Sequence, residues 1–315
     1  MVIGMQLGGI HHLTAVTANV EQNHAFYTQV MGMRLVKKTV NQDDVSAYHL
    51  FYADAEASPG SDLTFFDWPV PRERRGTRSI TRTGLRIGSE KSLMWWIDRL
   101  KAASIPVSSG FERAGRFGVD FEDFEGQRLS LVVDTKSKGN PWTGSPVPLE
   151  HQIIGLGPVT MSIPELKPTQ HLLTKIMGMR EISEYTLGNN PVHVFEMGPG
   201  GASAELHVAV EAGVGVGRQG AGAVHHIAFR IATDEGYHGW LEHLADSGIP
   251  TSGPVDRFYF KSLYFREPGG ILFEIATDGP GFAVDEPKDS LGLKLALPPF
   301  LESRRNEIEA GLKPL

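Results

Sequence analysis

The sequence predicts an α+β protein, four βαβββ modules forming two curved mixed β-sheet domains with helices outside. Three observations lead there. Sliding residues 79–134 along by 144 positions lays them on 223–278 without a gap, and the identical pairs include Arg86/Arg230, Trp96/Trp240, Leu100/Leu244, Pro106/Pro250, Arg113/Arg257 and Gly126/Gly270. Self-similarity at a fixed spacing marks repeated structural units. A weaker echo, Met31-Gly32-Met33 against Met177-Gly178-Met179 and Gly9-Ile10 against Gly155-Leu156, turns two copies into four. Within the copies the apolar period switches from strand-like to helical and back.

The elements follow in order. Module A covers 1–70, module B 71–135, a linker rich in Lys, Gly, Pro and Ser 136–153, module C 154–212, module D 213–280 and a C-terminal tail 281–315. Each module opens with a short β-prone run, such as 10–16 or 224–231. A helix follows: Leu93, Trp96, Ile97 and Leu100 recur at i, i+3, i+4 and i+7, as do Tyr237, Trp240, Leu241 and Leu244. Pro106 and Pro250 then act as stop signals. Short β runs such as 262–265 and 271–276, joined by a turn, close the unit. One such unit cannot cover both faces of its small sheet, so modules must pair. The glycine-rich stretch 213–222 lacks the Gly-Lys-Ser/Thr ending of a phosphate loop and reads as a connector.

Composition narrows the function. Thirty Lys and Arg against 37 Asp and Glu give a net charge of −7, which argues against nucleic acid as a partner. Arg72, Arg74, Arg75, Arg78, Arg82 and Arg86 cluster, and read as a solvated loop leading into a strand. The absence of cysteine excludes disulfides, thiolate metal sites and cysteine nucleophiles. No run of 18 apolar residues predicts a membrane helix, and residues 1–9 lack the basic start of a leader. A cytoplasmic protein is the simplest expectation, with a homo-oligomer left open.

Where the repeat breaks, polar residues need a reason other than the fold. Module D opens Val224-His225-His226-Ile227, where B has Ile80-Thr81-Arg82-Thr83. Module A opens Gly9-Ile10-His11-His12, where C has Gly155-Leu156-Gly157-Pro158. The last strand of D carries Glu274 among apolar residues, where B has Ser130. A buried carboxylate without a partner is very costly. Two imidazoles and a carboxylate are the ligand set of the facial triad, which suits Fe(II) and leaves positions open for reactants. Neighbouring side chains on a strand face opposite ways, so one histidine of each doublet faces the metal and the other points away or supports it. C offers Pro158 where a ligand is needed, so A should pack with D, and B with C.

The hairpin of D adds a candidate. If Pro268-Gly269-Gly270 is a three-residue loop, Glu267 pairs with Ile271 and Tyr264 lies opposite Glu274. Its match in B is Asp120. Arg257 matches Arg113, so a structural role stands beside a catalytic one. Phe65, Phe66, Trp68, Phe258 and Tyr259 are candidates for an aromatic pocket or for the core.

At these residues the chain resembles the vicinal oxygen chelate superfamily of glyoxalases, bleomycin-resistance proteins and extradiol dioxygenases. Within it, the chain is similar to hydroquinone-type ring-cleaving dioxygenases, through Gly9–Thr14, Met31–Asn41, Tyr48-His49-Leu50, Val224-His225-His226, the stretch Arg257 to Tyr264, and the tail Leu297-Pro298-Pro299-Phe300-Leu301-Glu302. The resemblance implies Fe(II), with Mn(II) as an alternative, on His12, His226 and Glu274. It implies supporting or catalytic roles for His11, Thr14, His225, Arg257 and Tyr264, and a small aromatic diol with O2 as reactants. Two other readings compete. A glyoxalase-like lyase or isomerase would use a second carboxylate from the last strand of A, which reads Leu63-Thr64-Phe65-Phe66-Asp67, with apolar residues where Glu is expected. A non-catalytic binder of small molecules such as antibiotics has little need of an open metal site.

Overall fold

The computed structural model describes residues 4–315. Met1–Ile3, at the start of the segment read as lacking a leader, lie outside the described residues. No helix among the described residues is long and apolar enough to cross a membrane.

Among the described residues, sixteen strands and four of the five α-helices follow the predicted grammar four times. The first pass is β1 (Ile10–Thr17), α1 (Val20–Ala25), β2 (Arg34–Asn41), β3 (Asp44–Ala53) and β4 (Asp62–Asp67). The second is β5 (Ser79–Ile87), α2 (Glu90–Ala102), β6 (Phe111–Arg113), β7 (Arg116–Glu122) and β8 (Arg128–Val133). The third is β9 (Ile153–Ile163), α3 (Leu166–His171), β10 (Arg180–Leu187), β11 (Asn190–Glu196) and β12 (Glu205–Val210). The fourth is β13 (Val224–Ile231), α4 (Asp234–Asp246), β14 (Val255–Asp256), β15 (Lys261–Arg266) and β16 (Leu272–Thr277). The tail carries α5 (Arg305–Gly311).

The strands form two curved mixed sheets of eight, ordered β14-β15-β16-β13-β1-β4-β3-β2 and β10-β11-β12-β9-β5-β8-β7-β6. In each sheet two four-stranded halves meet along one antiparallel seam, β1 with β13 or β5 with β9. The fold class is the one the repeat predicts.

The long helices are capped where their sequences say. Ser89 accepts from the Ser92 amide at 3.1 Å, and Thr233 from the Gly236 amide at 3.1 Å. Trp96 and Trp240 are fully buried on the sheet-facing stripes. Each indole N–H donates to a backbone carbonyl, His151 at 2.7 Å and Met5 at 2.9 Å, so burial leaves no polar atom unpaired.

Alternation along the strands sorts the first sheet into two faces. Leu13, Phe65, Ile227, Leu263 and Phe273 join the core under the helices. Their neighbours His12, Thr14, Thr64, His226, Tyr264 and Glu274 therefore point to the concave side, where Phe51, Tyr259 and Phe260 meet Phe282 of the tail in a separate apolar cluster.

Candidate metal centre

Three side chains from β1, β13 and β16 converge on that concave side. His12 Nε2 lies 3.2 Å from Glu274 Oε2, His226 Nε2 lies 2.9 Å from the same oxygen, and the two Nε2 atoms are 3.4 Å apart. Ligands about 2.1 Å from a shared ion at right angles would stand about 3 Å apart. Glu274 is fully buried, and neither carboxylate oxygen receives a properly directed hydrogen bond. Such a group needs a cation. Burial alone pushes its carboxyl up, but the His12 and His226 imidazoles more than offset this and hold it well below the usual carboxylate range. His12, His226 and Glu274 are the group whose donor atoms lie within 4.8 Å of one another, and they fit a divalent ion.

The doublets depart from simple alternation. The β1–β13 ladder shifts register twice, pairing Ile10 with Phe229 but His12 with Ala228, and Thr14 with His226 but Ala15 with Val224. His11 and His225 are the extra residues of two bulges. Instead of pointing away, each first histidine turns onto its neighbour: the Nδ1 atoms of His11 and His12 are 2.8 Å apart, as are those of His225 and His226. With the proton on Nδ1 of His12 and of His226, donated to Nδ1 of the preceding histidine, Nε2 of each is free to bind a cation, an arrangement that orients metal-binding imidazoles. Burial and the adjacent imidazole push His11 and His225 down to about 3, so both stay neutral near pH 7.

The D hairpin closes as counted. The Glu267 amide donates to the Ile271 carbonyl at 3.0 Å, Gly270 takes the left-handed conformation, and Tyr264 pairs with Glu274. The Tyr264 ring packs edge-on to His226. Burial and the nearby Glu274 carboxylate push its hydroxyl well above the ordinary tyrosine value. The Arg257 Nε donates to this hydroxyl at 3.4 Å while its Nη2 donates to Asp43 at 2.9 Å. Its repeat mate Arg113 holds Asp120, the Tyr264 counterpart, through two bonds of 3.0 and 2.6 Å. The repeat thus keeps the arginine's geometry and changes what it touches.

One expectation is corrected, and one left open is divided. The position in A that mirrors Glu274 is not apolar. Thr64 pairs with Thr14, two residues past His12, as Glu274 pairs with Ala228, two past His226. Thr64 donates to the Thr14 hydroxyl at 2.9 Å, and its hydroxyl is also 2.9 Å from His49 Nε2. The aromatic candidates divide. Phe66 and Tyr259 line the cavity in front of the triad, with His49, Arg257, Phe260 and Tyr264. Phe65 turns into the core against Tyr27, and Trp68 stacks on the back of Phe66.

His49 is the site residue that the analysis of repeats passed over. It sits between the rings of Phe51 and Phe66, and burial holds it well below the ordinary histidine value. Its topological match in C is Val192, so the test that flagged the doublets would have flagged it too. The equivalent ground of the second sheet is filled differently: Arg82 replaces His226 and pairs with Asp120 at 3.2 Å, and Pro158 and Ser130 replace His12 and Glu274.

Comparison with known proteins agrees with this frame. A family model described as "Glyoxalase/Bleomycin resistance protein/Dioxygenase superfamily" matches residues 9–131 and 155–275, and the chain belongs to that superfamily. It is 47% identical over 315 residues, 99% of this chain and 100% of the relative, to the Bacillus subtilis (strain 168) protein named "Putative ring-cleaving dioxygenase MhqA". It is 28% identical over 318 residues, 98% of this chain and 97% of the relative, to the chlorohydroquinone/hydroquinone 1,2-dioxygenase of Sphingobium indicum. A crystal structure titled "putative dioxygenase" from Bacillus subtilis matches with a TM-score of 0.91 at 36% identity, covering 98% of both chains. Maize glyoxalase I shares the fold, with a TM-score of 0.62 at 14% identity, covering 86% of this chain and 92% of that one.

Proposed function

We propose that this protein is a metal-dependent ring-cleaving dioxygenase of the extradiol type, acting on a hydroquinone- or catechol-like aromatic with O2, and that His12, His226 and Glu274 hold its Fe(II). The observation that carries this reading is Thr64. A hydroxyl committed to Thr14 and His49 stands where a fourth, carboxylate ligand would stand in a glyoxalase-type site, so the triad keeps an open face toward the cavity. The names of the curated relatives support the same substrate class.

The iron would supply electron transfer between an electron-rich ring and O2. The chain supplies positioning and protons. Phe66, Tyr259 and Phe260 offer flat apolar walls to a ring, and Tyr264 stands where a ring hydroxyl would meet the triad. Held protonated, Tyr264 donates to the reacting oxygen, and the Arg257 guanidinium stabilises negative charge that develops on it. His225, held neutral behind His226, orients that imidazole.

Metal analysis of anaerobically purified protein tests the ligand set: about one iron per chain is expected, lost in His12→Ala and in Glu274→Ala. Oxygen uptake with methylhydroquinone and catechol tests the chemistry. No uptake by iron-loaded protein across a panel of diphenols overturns it.

A further inference from the structure

We propose a second ligand site, for a small oxyanion carrying at least two negative charges, in the arginine-lined cleft where the two inter-module connectors cross between the sheets. This goes beyond the ring-cleavage reading and stands without it. Arg74 and Arg78 come from the connector between β4 and β5, Arg218 from the glycine-rich connector between β12 and β13, and Arg266 from the end of β15; all four are exposed and line one open cleft.

Three of these guanidiniums are tied to backbone carbonyls, and none of the four is neutralised. Arg78 donates to the Gly269 carbonyl at 3.1 Å, Arg266 to Gly270 at 2.7 Å and Arg74 to Val216 at 3.4 Å. Among the described residues none of the four forms an ion pair, although the protein as a whole is acidic. The carboxylate on the cleft wall, Glu73, already serves Arg128 at 3.3 Å and Arg75 at 3.6 Å.

The backbone makes the arrangement costlier still. Arg74 and Arg218 face each other directly in an antiparallel bridge, exchanging both amide hydrogen bonds at 3.0 and 2.8 Å. Like charges directly opposite across strands repel. A β carbon on Gly76 would fall 2.3 Å from the Gly215 carbonyl oxygen, so the two connectors are locked at this spacing. An anion bridging the guanidiniums through charge-assisted hydrogen bonds removes the repulsion. His225 is among the lining residues, and its ring contacts His226 of the triad on the other side.

Two probes separate the sources of such an anion. cis,cis-Muconate represents a ring-opened dicarboxylic acid, and inorganic phosphate represents phosphorylated or free phosphate ligands; the dimethyl ester of muconate is the neutral control. Calorimetric titration of the full-length protein at low salt should show one site for muconate or phosphate and none for the ester, weakening as salt screens the charges. The tighter of the two anions identifies the source. Arg218→Ala and Arg266→Ala, on different elements, should each weaken binding about tenfold or more. Failure of both anions to bind, or unchanged affinity in both variants, overturns the site. Oxygen uptake plays no part in the readout, so a failure here is separate from a failure of the ring-cleavage reading.

Discussion

Thr64 and Glu274 occupy mirror positions on β4 and β16, each paired across a parallel ladder with the residue two past a histidine of the triad. One is a neutral hydroxyl, the other a buried carboxylate. That asymmetry decides how many protein ligands an ion would have, and so what chemistry has room to occur.

Replacing Thr64 with a carboxylate should close the open face. In Thr64→Glu the metal is retained, while oxygen uptake falls by about 100-fold or more, because a group that excludes a reactant removes most of the positioning advantage. Metal content and oxygen-electrode rates on the same preparation check both halves. A variant that keeps full activity contradicts the open-face argument.

Tyr264→Phe removes the proton donor beside the triad and leaves its packing. Its turnover should fall about 100- to 10,000-fold, the usual worth of a positioned acid or base, with KM changing much less. Without a cation the hydroxyl is pushed above its ordinary value by burial and Glu274, and an ion in the triad would lower it, so an alkaline limb of activity that the wild type shows and Tyr264→Phe lacks reports this hydroxyl.

Removing the metal should lower stability as well as activity. The wild type loaded at 100 times its dissociation constant gains about 2.7 kcal/mol over the metal-free protein. Thermal melts with and without a chelator should show that gap, and Glu274→Ala should show none, since it has lost the charge that needs the cation.

His49 gives the pH dependence a sign. Its folded value lies well below the ordinary 6.5, chiefly because it is buried. Its contribution to stability is therefore complete above about pH 6.5 and is lost as the pH falls below that, because the unfolded chain takes up a proton that the folded one refuses. Melting temperature should drop from pH 6.5 downward in the metal-free wild type, and less steeply in His49→Gln. Equal slopes would remove His49 from the account.

The sequence made some features legible and hid others for physical reasons. A three-residue turn fixes strand register by counting, so Tyr264 could be set opposite Glu274 from the positions of Pro268, Gly269 and Gly270 alone. Repeat comparison singled out His11, His12, His225, His226 and Glu274, which lie together in the structure, because the sister modules carry other residues at those positions. It missed His49, since modules A and C are aligned by only two short stretches and β3 lies beyond both. It also misread Thr64 as apolar ground for want of a register. Bulges at His11 and His225 were beyond reach: strict alternation sends neighbouring side chains apart, and only a slipped ladder lets both imidazoles of a doublet meet.

The nesting of the strand orders carries a consequence for synthesis. The second sheet needs only residues 79–210, whereas the first joins residue 10 to residue 277 across everything between. A chain emerging from the ribosome can therefore complete the inner sheet while its opening strands wait without partners. The triad is complete only once β16 has joined that sheet, so a cation can be captured there only after synthesis has passed Glu274.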